Sequence, residues 1–151
     1  MLKYYLSQID TISKKISLFL SKNDCIFLYG ELGSGKTTFV RSLVHQLQKK
    51  NKIKKTEVVS PTFSLLHEYE IKNLKVMHYD LYRLKKNKEL EKLGIFQEND
   101  KVITIIEWPE IVKKTIINRL EITFYYQKEP EIRKLRLKGY GKWKKFKLNA
   151  I

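Results

Sequence analysis

Residues 30–37 read Gly-Glu-Leu-Gly-Ser-Gly-Lys-Thr, an ungapped G-x-x-x-x-G-K-[ST] pattern. No other stretch constrains the fold as much, because such a loop must be fed by a strand and must open a helix. The flanks meet both demands. Cys25-Ile26-Phe27-Leu28-Tyr29 is a short apolar run of strand type, and Phe39, Val40, Leu43, Val44 and Leu47 recur at helical spacing after the loop. A chance match in a chain of this length is on the order of one per cent, and the context lowers it further. The residue types suit a phosphate cradle. Gly30, Gly33 and Gly35 let the backbone turn its N–H groups toward an anion. The helix that follows offers unpaired N–H groups and a favourable dipole. Lys36 supplies a point charge to β- and γ-phosphates, and the Thr37 hydroxyl can ligate Mg²⁺.

A loop of this kind also needs a carboxylate at the end of a neighbouring strand. Val102-Ile103-Thr104-Ile105-Ile106-Glu107 ends a continuous apolar run in an acid, and Val76-Met77-His78-Tyr79-Asp80 does so less cleanly. Spacing assigns the metal to Glu107 and a supporting part to Asp80, through water or in aligning a nucleophile. Period two puts His78, Asp80 and Tyr82 on one face of their strand, which reads as half-solvated.

The rest of the chain predicts an α/β fold. A helix is expected over 6–20, from Leu6, Ile9, Ile12, Ile16 and Phe19, with Ser7 as cap. Residues 49–55 read as a basic loop. Short strands are expected at 57–59, 63–71 and 75–81, the last two joined as a hairpin at Lys72-Asn73. A short helix at 89–93 should end at Gly94. Residues 102–106 suit a central strand, and 116–126 another. The expected whole, 1–151, is a single P-loop NTPase domain: a mixed, mostly central β-sheet flanked by helices. A basic hairpin over 131–149, turning at Gly139-Tyr140-Gly141, belongs to the same domain.

Composition narrows the partners. With 151 residues the chain can build its own core. Lys and Arg total 31 against 16 acids, a formal charge of +15, which favours polyanionic partners. Between Arg133 and Lys147 the cations alternate with Tyr140, Trp143 and Phe146, a pattern able to contact the phosphates and unpaired bases of a nucleic acid or, alternatively, to guard a sheet edge. The single cysteine, Cys25, excludes an intramolecular disulfide and reads as a buried inert thiol. Three scattered histidines give no metal-ligand spacing. No run approaches the ~18 apolar residues of a membrane span, so a cytoplasmic protein is expected.

Four segments in series resemble one family. They are the loop with Thr38-Phe39, Ser60-Pro61-Thr62-Phe63, His78-Tyr79-Asp80-Leu81-Tyr82-Arg83-Leu84 and Ile106-Glu107-Trp108-Pro109-Glu110. Their order is similar to that of the TsaE (YjeE) family of small bacterial ATPases, over about residues 6–126. The stretch 89–95 resembles the family's link between the last two segments. Glu31, Ser34 and Tyr79 depart mildly from the family pattern without removing a required group. The resemblance implies Mg²⁺-dependent binding and hydrolysis of ATP, in concert with TsaB and TsaD. Together these add threonylcarbamoyl to the adenosine beside the anticodon of tRNAs. It further implies that Leu32, Gly33, Ser34, Gly35, Lys36, Thr37 and Thr38 wrap the phosphates, and that Thr37 and Glu107 hold Mg²⁺. Lys36, Asp80 and Glu107 would serve hydrolysis, 60–63 would be a switch-like loop, Trp108 would lie beside the nucleotide, and Arg133 would match a basic C-terminal residue near it.

Two other function classes compete. A small-molecule kinase would need arginines in a lid, and Arg83 and Arg119 are the only ones between Arg41 and Arg133. A basic nucleic-acid-binding module with a vestigial loop would bind RNA regardless of nucleotide.

Overall fold

Strands that are apolar on both faces belong inside a sheet, and the two such runs in this chain lie side by side near its centre. The computed structural model describes residues 1–96, 101–113 and 115–148. In chain order the strands are β1 (Leu2–Tyr5), β2 (Cys25–Tyr29), β3 (Leu66–Ile71), β4 (Leu74–Asp80), β5 (Val102–Glu107), β6 (Arg119–Tyr126) and β7 (Ile132–Gly139). The helices are α1 (Ile9–Phe19), α2 (Lys36–Lys50) and α3 (Asn87–Lys92). All seven strands join one mixed sheet in the order β1-β7-β6-β2-β5-β4-β3. Its central strands β6, β2, β5 and β4 are mutually parallel; β3, β7 and β1 complete it as antiparallel pairings. This is the mixed, helix-flanked α/β fold expected from the sequence.

The two faces are covered unequally. Ile12 and Ile16 of α1 and Phe39, Val40, Leu43, Val44 and Leu47 of α2 pack on Ile26, Leu28, Ile103, Ile105, Ile122 and Phe124. On the other face Leu90 of α3 meets Cys25, Phe27, Tyr79, Leu81 and Ile106. Burial pushes the Cys25 thiol far up, so it is inert as expected.

Several local expectations need correction. The first helix is preceded by a 3-10 turn, Leu6–Gln8, and Ser7 caps nothing; the Gln8 side chain instead accepts from Tyr5 N–H at 2.7 Å. Residues 57–59 form no strand. They run extended, held where Val58 is buried and its carbonyl accepts from Arg41 Nε at 2.9 Å. β3 starts at Leu66 rather than at 63 because Leu65 takes a left-handed φ of 67° and its N–H returns to the Pro61 carbonyl. The hairpin at Lys72-Asn73 and the stop at Gly94, φ 62°, are as read. β4 is not half-solvated: His78, Tyr79 and Asp80 are all buried, because both faces of the strand are covered, Val76 lying in the cluster with α1 and α2 and Tyr79 in that with α3.

The C-terminal hairpin over 131–149 is replaced by a different arrangement. β7 pairs with β6 on one side and β1 on the other, and Gly141–Lys145 is a 3-10 turn; Asn149 lies outside the described residues. Trp143 makes the turn part of the core, with its ring 5.0 Å from Phe19 and 5.3 Å from Phe146. Lys142 reaches the buried Asp24 at 2.5 Å. Truncation at Trp143→Ala should therefore cost about 3–5 kcal/mol, as for other buried large aromatics. Urea unfolding checks this; a loss below about 1 kcal/mol would mean that the tail is not core.

Candidate functional site

In a parallel sheet the carboxyl ends of adjacent strands share one edge, and loops leaving that edge form a crevice. Here β2, β5 and β4 are neighbours, so the glycine-rich loop after β2 faces the ends of β5 and β4. Asp80 and Glu107 are direct register partners, on the face that α2 covers. Neighbouring strands lie about 4.8 Å apart, so the two carboxylates stand side by side beneath the loop.

The loop is held open by its glycines and by one aromatic. Gly35 opens α2 with φ 110°, a conformation closed to most residues, leaving the helix's first N–H groups facing outward. At Gly33, φ 74°, a Cβ would come within 2.6 Å of the Tyr126 hydroxyl. That hydroxyl donates to the Leu32 carbonyl at 2.5 Å, fastening the loop to the end of β6.

The charged side chains are interlocked. Thr37 Oγ1 donates to both Glu107 oxygens, at 2.9 and 3.1 Å. His78 Nε2, fully buried, donates to Glu107 Oε1 at 2.9 Å. Asp80 Oδ2 accepts from Thr62 Oγ1 at 2.7 Å and Ser60 Oγ at 3.4 Å, and Oδ1 accepts from Tyr82 N–H at 2.9 Å. Lys36 Nζ donates to the Gly30 and Glu31 carbonyls at 2.7 and 2.9 Å and lies 4.1 Å from the Trp108 ring centroid. Burial lowers the Lys36 pKa; Glu107, Asp80 and Glu110 oppose the shift in that order. Trp108 itself takes a left-handed φ of 58°, and its ring lies 4.8 Å from that of Tyr82, tilted by 50°.

Leu32, Gly33, Gly35, Lys36, Thr37, Thr38, Asp80, Glu107 and Trp108 line one cleft of about 140 Å³ with Ser60 and Thr62. Two expected residues stand apart. Ser34 is buried behind the loop, its N–H donating to the Glu31 carbonyl at 3.1 Å. Arg133 is not at the cleft wall: opposite Tyr126 in the ladder, it donates to the Pro130 and Ile132 carbonyls and covers the Tyr126 ring at 5.1 Å. Sequence reasoning missed His78 and Tyr126 as parts of the site. Period two placed His78 on the face of Asp80, but only strand order could show that the neighbouring strand ends in its carboxylate partner.

Among the described residues no group of three or more His, Cys, Asp or Glu could hold a metal. The donor set nonetheless fits a hard cation. Thr37 and Glu107 place hard oxygens next to one another at the loop's helix end, and Mg²⁺ commonly takes one or two protein oxygens and fills its shell with water and phosphate. No helix among the described residues is long and apolar enough to cross a membrane.

Removing His78 leaves a buried carboxylate with one donor fewer. His78→Leu should lower unfolding stability by about 1–3 kcal/mol, and His78→Asn, which keeps an N–H donor, by less. Equal losses in denaturant unfolding would show that packing, not the bond to Glu107, is what matters.

Comparison with known proteins shows what the chain as a whole is similar to. The family model described as threonylcarbamoyl adenosine biosynthesis protein TsaE matches residues 5–135. The tRNA threonylcarbamoyladenosine biosynthesis protein TsaE of Rickettsia felis is 39% identical over 102 residues, covering 68% of this chain and 57% of that protein. The chain thus spans little more than half the length of that relative. The protein of the same description from Aquifex aeolicus is 39% identical over 119 residues, covering 77% of this chain and 83% of its own. In fold, the crystal structure of Bacillus subtilis YdiB superposes with a TM-score of 0.68 at 24% identity, over 93% of this chain and 86% of that one.

Proposed function

Because the chain belongs to the TsaE family of tRNA threonylcarbamoyladenosine biosynthesis proteins, we propose that it is the Mg²⁺-dependent ATPase of that machinery, acting with TsaB and TsaD in the cytoplasm. The observation that carries this reading is the Thr37–Glu107 pair, a hydroxyl and a carboxylate joined where the loop enters α2. Mg²⁺ bound there would neutralise charge between the β- and γ-phosphates. Gly33, Gly35 and the first turn of α2 bind the phosphate oxygens through N–H groups. Lys36 swings from the Gly30 and Glu31 carbonyls to the phosphates. Asp80 holds the Thr62 and Ser60 hydroxyls at the cleft wall and through them orients water for attack. At about 140 Å³ the cleft suits a polyphosphate better than a whole nucleotide, for which several hundred Å³ is usual, so the base lies outward beside Trp108.

The kinase alternative receives little support. The side chain of Arg119 is only 13% exposed and is tied to Glu121 at 3.0 Å, and the Arg83 guanidinium lies 5.4 Å over the Phe63 ring. The direct test is phosphate release from ATP with and without TsaB and TsaD. Hydrolysis that rises with the partners is expected; phosphate transferred to a metabolite would sink the ATPase reading. Lys36→Ala should weaken ATP binding about ten- to a hundredfold, since a charge-assisted bond contributes about 1.5–3 kcal/mol. Glu107→Gln should abolish the dependence of binding on Mg²⁺, whereas Asp80→Asn should spare binding and slow turnover.

Lys36 also predicts a pH effect. Its pKa is depressed, and only its charged form attracts phosphate. Affinity for ATP should be level near neutrality and fall as pH rises through that depressed pKa, before an ordinary lysine would titrate. Across that range binding takes up a proton, because phosphate stabilises the ammonium. Titration calorimetry in buffers of different ionisation heat reads this uptake directly; Lys36→Arg should remove it.

A further inference from the structure

The sheet has one face region that no α-helix among the described residues covers. The core cluster under α3 draws on β2, β4 and β5 but takes no residue from β1, β6 or β7. Alternation along β7 turns Leu135 to the core and Lys134, Arg136 and Lys138 outward. Register then aligns Tyr125 of β6, Lys134 of β7 and Lys3 of β1 in one row, with Thr123 beside Arg136 and Glu121 beside Lys138 in the next two. Tyr5, 57% exposed, completes the face. Cations separated by two residues on β7 stand about 7 Å apart.

This arrangement is unfavourable on its own. Lys3 faces Lys134 directly across the ladder, and like charges so placed destabilise a sheet. Glu121, the one acid on the outward side of these three strands, is engaged by Arg119 at 3.0 Å and by the Tyr140 hydroxyl at 3.3 Å. Lys138 leans on the Tyr140 ring at 5.1 Å. Protection of a sheet edge does not account for the pattern, because β7 is interior, flanked by β1 and β6. Nor is the whole basic tail available: Lys142 is committed to Asp24.

We infer that the outward face of β1, β7 and β6 is an RNA-binding surface, on which Lys3, Lys134, Arg136 and Lys138 contact phosphates and Tyr5 and Tyr125 stack on unpaired bases. A polyanion relieves the repulsion that the sheet carries, and tyrosines interleaved with cations match single-stranded segments of RNA better than a flat acidic protein. The choice of RNA as polyanion rests on these interleaved tyrosines together with the family's place in tRNA modification.

The test is the binding of unfractionated tRNA to the full chain over a range of salt concentrations. Four substitutions, Lys3→Gln, Lys134→Gln, Arg136→Gln and Lys138→Gln, are made together and compared with Lys14→Gln, Lys22→Gln, Lys49→Gln and Lys50→Gln, which remove the same charge elsewhere. Each phosphate contact contributes about 0.7–0.9 to the salt slope, so the face variant should lose about 3 units of slope and on the order of a hundredfold in affinity. The other variant should stay within about threefold of the original. Equal losses in both, or none in the face variant, would overturn the inference. So would retention of poly-glutamate binding through these residues without tRNA binding, which would make the face a site for an acidic protein. Thermal melts monitor folding, and Lys134→Gln with Arg136→Gln serves as a milder pair, expected to lose about half the slope. ATP binding measured on the same variants should be unchanged. Its absence in the original chain would count against the ATPase reading alone.

Discussion

The parallel ladder that joins β2 to β5 and β5 to β4 is the constraint on which the rest depends. Register in a sheet admits no half measures, since a one-residue slip turns every side chain to the other face. Pairing Leu28 with Glu107, and Glu107 with Asp80, sets the ends of three strands level. The glycine-rich loop, the helix it opens and both carboxylates then meet without any long-range side-chain contact having to bring them there. Gly35 and Tyr126 complete the arrangement, one by its left-handed backbone and the other by tying the loop to β6.

Within this frame the charged groups form a connected network in the protein interior, in which one atom, His78 Nδ1, has no hydrogen-bond partner among the described residues. Lys36, His78, Asp80 and Glu107 are each less than 5% exposed, and groups of this kind are tolerated in a core only when paired. Each is paired here, with Thr37, Thr62 and loop carbonyls serving as partners. The partners facing the cleft are the replaceable ones. A phosphate can take the Lys36 ammonium from two carbonyls, and a cation can take the Glu107 carboxylate from a threonine hydroxyl. His78, behind them, retains its hold on Glu107. With ligands of that kind the network would keep its geometry while its outer bonds exchange.

The sheet also divides the molecule's tasks. Its strands β2, β4 and β5 are covered on both faces and carry the cleft. Among the described residues, strands β1, β6 and β7 join the core on one face only, where Trp143 and Leu135 lie. Their other face is polar and basic, so an antiparallel extension gives the parallel centre a second, chemically different surface.

Much of this was legible in the residues. The loop pattern, the strand before it, the helical face after it and the terminal acids of two strands are local features, governed by backbone conformation and periodicity that a few neighbouring residues decide. From these came the fold class, the cleft's main residues and the family resemblance. What pairing decides could not be read. Whether β4 was solvated, whether Lys134 lay at an edge or on an interior strand, and whether Arg133 faced the cleft all depend on which strand lies beside which. Glu57-Val58-Val59 looked like a strand, but a strand exists only where a neighbour's N–H and carbonyl groups are free, and Arg41 takes that place for Val58. His78 shows the same limit in one residue. Sequence alone set its face and its period; only the tertiary structure, by laying β5 alongside, made it the buried donor to Glu107.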